Sequence, residues 1–321
     1  MKVLVTGGTG YIGSVMVQML LDNSHEVVIV DRTKNSSLEI NNKAKFYQQD
    51  ILDTTKIEET LKIEQPNAVI HFAGLISMEE STRKSDLYFK VNTAGSLSLI
   101  TAMLNIGINN LIFSSSAGVY GDTDVVPIIE SAVKKPTNPY GESKLLVEQM
   151  LPWFWRTKNL SSLSLRYYNP AGASADGSLG ESHEPETHII PLALKAAQEG
   201  KEFKLNGSDY DTPDGTCVRD YIHVVDLCQA HLMALDSLIN DPRHDAYNVG
   251  TGRGWSNKEV VDTVKKVTNK DLTVKVETRR PGDAPELIAD STKIKEALGW
   301  KPQHLDLAEI VQSAWEYASK Q

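Results

Sequence analysis

Three glycines, Gly7, Gly10 and Gly13, lie between a short apolar run, Lys2–Thr6, and an amphipathic stretch, Ile12–Asn23. Lys2–Thr6 reads as a buried parallel strand, being short and rich in β-branched residues. Ile12, Val15, Met16, Met19 and Leu20 recur on one helical face. A strand that turns at once into a helix needs residues without Cβ at the turn. The same turn lets the backbone approach a phosphate, and the helix start offers N–H groups to it. The spacing is GxxGxxG rather than the commoner GxGxxG, and a glycine-rich turn without a ligand is the competing reading. The strand before and the helix after favour a bound dinucleotide, held by Gly7, Gly10, Tyr11, Ile12 and Gly13.

The alternation continues along the chain. Glu26–Val30, Lys45–Gln49, Ala68–Phe72, Asn110–Ser114 and Ser162–Arg166 are predicted strands. Helical stretches separate them, notably Leu87–Asn105 and Tyr140–Lys158. This order predicts an α/β fold with a Rossmann-type, doubly wound parallel sheet. After Arg166 the pattern breaks into a Gly-, Pro-, Asn-, Asp- and His-rich segment, 167–215, with one helix near Ile190–Glu199. Then come predicted helix Val224–Leu238, strand Ala246–Val249, helix Asn257–Val267, strand Thr273–Glu277, and helices Thr292–Leu298 and Asp306–Ala318. We read a nucleotide-binding domain over 1–166, to which 216–250 returns. Segments 167–215 and 251–321 form a smaller mixed α/β substrate domain.

Bulk properties narrow the function. The 321 residues carry a net charge of −9, with 40% hydrophobic and 23% charged residues, as in a soluble globular protein. No basic stripe is present, which argues against nucleic acid. No apolar run approaches the ~20 residues of a membrane span. Cys217 and Cys228 make neither a disulfide framework nor a metal cage, and read as small buried hydrophobes. The sequence enters a strand at Lys2 with no leader ahead of it, so the expected location is cytoplasmic.

Strand ends define the rest of the cofactor site. Asp31 closes the second strand, where a carboxylate accepts from an adenosine ribose hydroxyl, favouring NAD over NADP. Arg32 follows it and could instead attract a 2′-phosphate. Asp50 and Ile51 end the third strand, a position suited to the adenine, although Asp50 also reads as a cap or turn residue. Phe72, Ala73 and Gly74 end the fourth, where a close backbone approach is expected. Ser114 ends the fifth.

Tyr140 and Lys144, in Tyr140-Gly-Glu-Ser-Lys144, are one helical turn apart and share a face. A tyrosine hydroxyl titrates near ~10 and is a poor base at neutral pH. A nearby ammonium, or an oxidised nicotinamide ring, stabilises the phenolate. Lowering the pKa by about three units takes roughly 4 kcal/mol, within reach of two positive charges in a partly dry site. The pair therefore points to proton removal from a hydroxyl beside it. A serine-hydrolase reading of Ser116 lacks the GxSxG elbow.

With these residues in place, the chain resembles the extended short-chain dehydrogenase/reductase family over nearly its whole length. The motifs are TGGTGYIG at 6–13, HFAG at 71–74, SSSAGVYG at 114–121, NPYGESK at 138–144, LRYYNPAGA at 165–173, HEPETHIIP at 183–191, DGTCVRDYIHVVDL at 214–227 and RRPGD at 279–283. The resemblance is greatest to members that invert C4 of UDP-galactose and UDP-glucose through a 4-keto sugar and transient NADH, in galactose metabolism. It implies Tyr140 as base, Lys144 on the nicotinamide ribose and Ser116 on the sugar hydroxyl. Asn92 and Tyr168 would line the cofactor pocket. Asn169, Arg219, Arg280 and Asp283 would hold UDP, joined by His188, where other members carry an amide. Two arginines from distant segments also suit a diphosphate on chemical grounds.

Sibling dehydratases place an Asp-Glu pair after the serine run. Here Ala117 and Gly118 stand there and carry no proton, which favours simple epimerisation. Many relatives carry a lysine where this chain has Ile76. Leu287 falls where a residue gates N-acetylated sugars. The alternatives are an epimerase for UDP-N-acetylhexosamines or uronates, or a net nucleotide-sugar oxidoreductase. His183 and His188 suggest a metal, set aside because no third ligand is in evidence, so no metal is expected. Trp153, Phe154 and Trp155 read as core or subunit interface. Helices Leu87–Asn105 and Tyr140–Lys158 resemble the family's dimer pair, implying a homodimer.

Overall fold

The computed structural model describes residues 1–34, 43–123, 125–280 and 283–321; Pro281 and Gly282 of the RRPGD motif lie outside them. In chain order the strands are β1 (Lys2–Thr6), β2 (Glu26–Asp31), β3 (Ala44–Gln48), β4 (Ala68–His71), β5 (Asn110–Ser116), β6 (Ser161–Tyr167), β7 (Asn169–Ala171), β8 (Phe203–Asn206), β9 (Val218–His223), β10 (His244–Val249), β11 (Gly254–Ser256), β12 (Val274–Glu277) and β13 (Glu286–Leu287).

The large sheet runs β10-β6-β5-β4-β1-β2-β3. β1 pairs in parallel with β2 and β4, and the order reverses about β1, as in a doubly wound sheet. Buried residues on its strands and flanking helices, among them Leu4, Val28, Val69, Leu99, Phe113 and Leu151, form one core. A switch point lies at the carboxyl ends of β1 and β4, where ligands of such sheets bind.

Packing divides the chain into two units. One comprises 1–121, 134–166 and 228–247; the other comprises 122–133, 167–227 and 248–321. The sequence-based boundary kept 216–250 together, whereas packing places 216–227 with the second unit. There β9 pairs with β7, β11 and β13. The second unit has its own core, including Ile190, Leu194, Tyr221, Val260 and Ile310.

The predicted helix Leu87–Asn105 is interrupted. Ser85–Tyr88 leads into a π-helical turn, Phe89–Ala94, before the α-helix Gly95–Ile106. Such turns widen a helix by one residue and recur at functional sites. Asn92 lies in this one. Cys217 and Cys228 are buried free thiols, as expected. Among the described residues, no helix is long and apolar enough to cross a membrane.

Candidate active site

The glycine loop brings backbone against backbone. Gly7 has φ +70°, and a Cβ there would meet Ala73 N at 2.6 Å, so β1 and β4 touch without side chains between them. A Cβ on Gly13 would collide with the Gly7 carbonyl oxygen. Gly10 caps the helix Tyr11–Asp22, and no side chain caps it. A Cβ on Gly10 would have only Gly7 O within 4 Å, at 3.4 Å. The helix thus presents backbone at its positive end, a fit for a diphosphate.

Asp31 is fixed beside this loop: Thr9 N donates to Oδ2 at 3.2 Å and Thr33 N to Oδ1 at 3.3 Å. Its half-buried carboxylate suits a ribose hydroxyl, while Arg32 is exposed. Asp50 holds a turn, its Oδ1 accepting from Leu52 N at 2.9 Å. Ile51 packs into the core, where a Cβ on Gly95 would meet its Cδ1 at 2.7 Å. Phe72 packs against His231 with ring centroids 4.8 Å apart and planes tilted by 41°. Ile76 is exposed, and Ser77 caps a short helix, Met78–Arg83.

Asn138 caps the helix Pro139–Lys158, accepting from Gly141 N at 2.9 Å, with Pro139 in the first turn. Tyr140 and Lys144 follow on one face, and both are buried. Tyr140 lies edge-on to Tyr88, centroids 6.5 Å apart. Burial pushes its phenol above the ordinary value, and the Ser116 hydroxyl pulls the other way. Lys144 Nζ donates to Ser114 O at 2.9 Å and lies 5.2 Å from the Phe113 ring centroid. Burial lowers its pKa to about 8. The expected acidification of Tyr140 by Lys144 is not the net direction for the chain's own groups. Ser116 supplies the downward pull.

Asn92 is a buttress. Its Nδ2 donates to Leu75 O and Ser143 Oγ, both at 3.0 Å, and its Oδ1 accepts from Leu75 N at 2.8 Å. It ties the chain after Gly74 to the Tyr140 helix. A Cβ on Gly74 would lie 3.1 Å from Asn92 Oδ1 and 3.6 Å from Lys144 Nζ.

Sequence reasoning missed two supports beneath these residues. Glu148 accepts from Arg166 Nε at 2.9 Å, from Arg166 Nη2 at 2.5 Å and from Ser115 Oγ at 2.5 Å, while Arg166 Nη1 donates to Tyr120 at 2.8 Å. Glu148 lies one turn beyond Lys144 on the same face, a charge on a buried stripe that the spacing could have flagged. His71 bridges Thr6 Oγ1 at 2.6 Å and Ser96 Oγ at 2.8 Å; burial, then the Lys144 charge, lowers its pKa to about 3.

The expected UDP residues belong to the second unit. Asn169 Nδ2 donates to Asp220 O at 3.1 Å, and Leu287 pairs opposite Arg219 across β9 and β13. Arg219 Nη1 donates to Ala284 O at 2.8 Å, with Nη2 3.5 Å from Asp283 Oδ1. Asp283 N donates to Arg280 O at 3.3 Å. With its amide turned to suit its neighbours, Asn206 accepts from Arg280 Nε and Nη2 at 2.9 and 3.1 Å. His188 shares a depression with Asn169, Glu181 and Tyr221. Burial opposes charge on His188, but hydrogen bonds to Glu181 and Glu186 outweigh it and raise its pKa to about 10. Tyr168 is buried.

Known proteins are similar to this chain over its length. The model of the NAD dependent epimerase/dehydratase family matches residues 3–250. The UDP-glucose 4-epimerase of Lactobacillus helveticus is 43% identical over 319 residues, covering 99% of this chain and 97% of that protein. The Stenotrophomonas maltophila UDP-glucose 4-epimerase structure with bound NAD and formylated UDP-arabinopyranose is similar at TM-score 0.95 and 38% identity, covering 100% of this chain and 98% of that one. The Bifidobacterium longum UDP-glucose 4-epimerase structure in complex with NAD+ and UDP is similar at TM-score 0.94 and 37% identity, with the same coverage.

Proposed function

We propose that this chain, which belongs to the NAD dependent epimerase/dehydratase family, uses Tyr140, Ser116 and Lys144 to move the O4 proton of a UDP-hexose. The reaction is reversible inversion at C4 between UDP-glucose and UDP-galactose, with NAD as cofactor. The observation that supports the assignment of residues is the buried Tyr140 phenol on the same helix face as buried Lys144, with the Ser116 hydroxyl pulling against the effect of burial.

The glycine-loop helix start and Asp31 would hold the dinucleotide by its diphosphate and adenosine ribose, and Lys144 would hold the nicotinamide ribose. NAD, when bound, supplies the reversible acceptor for the C4 hydrogen and a positive ring charge. Lys144 keeps two N–H donors beyond the one aimed at Ser114, enough to grip ribose hydroxyls. Ser116 Oγ is oriented by Gly118 N, which donates to it at 3.0 Å. Tyr140, as the phenolate favoured by the Lys144 ammonium and the ring charge of bound cofactor, would take the O4 proton, directly or through Ser116, as the C4 hydrogen leaves as hydride, giving a ketone at C4. The same groups return the proton once the sugar presents its other face.

Gly118 supports epimerisation over dehydration. A Cβ there would lie 3.3 Å from Ser116 Oγ and 3.7 Å from Tyr140 Cε1, leaving little space for an acid. Arg219, Arg280 and protonated His188 offer cations to the UDP diphosphate, with Asn169 and Asp283 beside them. Leu97 and Trp153, 40% and 65% exposed on the helices Gly95–Ile106 and Pro139–Lys158, support a homodimer built on these helices. We place the enzyme in the cytoplasm, where the acidic balance suits a soluble protein.

Nuclear magnetic resonance of UDP-galactose with purified protein and no added NAD tests the reading. Appearance of UDP-glucose supports it. Steady accumulation of NADH on adding NAD, without UDP-glucose, overturns it.

A further inference from the structure

We propose that Glu181, His183, Glu186 and His188 form a binding site for one divalent cation of the zinc type. Two histidines alone fell short of a metal site, but the fold brings two carboxylates to them. One ligand atom from each of the four residues lies within 4.8 Å of all the others. His188 Nδ1 is 2.7 Å from Glu181 Oε1 and 3.2 Å from Glu186 Oε1. His183 Nδ1 is 3.2 Å from Glu181 Oε1 and 3.8 Å from Glu186 Oε2.

Tetrahedral zinc binds nitrogen and oxygen at ~2.0–2.1 Å, which sets its ligands about 3.3 Å apart. The carboxylate–imidazole separations run from 2.7 to 3.8 Å and no pair of the four ligand atoms exceeds 4.8 Å, so side-chain rotation would have to draw the set in on a cation. The glutamate side chains are only 8% and 11% exposed, and among the described residues neither pairs with a lysine or arginine. The two carboxylates face two imidazoles, and Glu186 Oε1 also accepts from the Thr187 and His188 amides at 2.7 and 2.8 Å, so one imidazolium leaves a surplus negative charge that a dication neutralises. Two imidazoles and two carboxylates suit zinc better than calcium or magnesium, which take all-oxygen sets. The spacing Glu-x-His-x-x-Glu-x-His would clamp the segment entering the helix Ile189–Glu199, whose cap is His188. A bound cation replaces the proton on His188, so positive charge stays at that place. The proposal does not depend on which sugar is epimerised.

The test uses untagged, chelator-treated full-length protein titrated with cobalt(II) and followed by visible absorption, with zinc added as competitor and dialysed protein assayed for bound zinc. The site predicts one cation per chain and tetrahedral cobalt bands without thiolate charge transfer. His183→Gln and Glu186→Gln should each weaken binding at least tenfold, with thermal melts reporting whether each variant is folded, and His25→Gln should leave it unchanged. Absence of saturable binding, or binding indifferent to both His183→Gln and Glu186→Gln, overturns the proposal and leaves a closed histidine–glutamate ion-pair network.

Discussion

Lys144 Nζ donates to the carbonyl oxygen of Ser114 at 2.9 Å, which anchors the amine at the end of β5. The ammonium is held there at an energetic cost, because burial lowers its pKa from 10.5 to about 8. That shift corresponds to about 3 kcal/mol against folding at neutral pH. A lowered folded-state pKa on a base means the unfolded chain binds more protons between the two values. Stability should therefore rise as pH increases from about 8 toward 10.5, all else equal. Lys144→Met should remove this slope and leave the unfolding free energy at pH 7 equal or higher, while activity falls at least ~100-fold. Urea unfolding at several pH values, beside turnover, checks both halves.

Glu148 and Arg166 are buried together under the serine strand end. Removing one partner of such a pair leaves the other charge uncompensated, at about 3–5 kcal/mol. Glu148→Ala should destabilise by that order, and Glu148→Gln by less. Both should slow turnover through Ser115, which donates to Glu148 and neighbours Ser116. Denaturant midpoints and the rate with UDP-galactose measure the two effects separately.

His71 supplies an acid-side prediction. Burial, aided by Lys144, lowers its pKa from 6.5 to about 3, so the folded state excludes the proton that the unfolded chain takes. Stability should fall as pH drops from about 6.5 toward about 3, by up to roughly 5 kcal/mol from this group. His71→Leu should lose stability at pH 7 yet show a flatter acid limb in urea unfolding between pH 7 and 4.5. Equal slopes in the two proteins would contradict the assignment.

Gly13→Ala tests the glycine loop. Its Cβ would strike the Gly7 carbonyl, so the helix must shift from the strand end. Retained NAD, read by absorbance after purification, should fall, and activity should fall with it.

The parallel sheet was legible because its strands are apolar runs closed by loops at regular intervals, as at Lys2–Thr6 and Ala68–His71. β9 was not, because Val218-Arg-Asp-Tyr-Ile-His223 mixes charges with apolar residues and reads as a loop motif. The π-helical turn at Phe89–Ala94 escaped because an extra residue leaves the apolar pattern nearly intact while redirecting Asn92. Tyr140 and Lys144 were legible as a pair one helical turn apart, and the structure buries both on one helix face. The sign of the Tyr140 shift was not, since burial is a property of packing that no spacing displays. Glu181 and Glu186 went unread beside His183 and His188 because their convergence depends on how the 181–188 segment folds.

The most direct measurement is turnover of Tyr140→Phe with UDP-galactose, with bound NAD quantified in the same sample. Loss of the phenolic oxygen should lower kcat by about 10²–10⁴-fold while NAD remains bound, since the substitution removes only the proton carrier. Near-wild-type turnover in that variant would contradict the account.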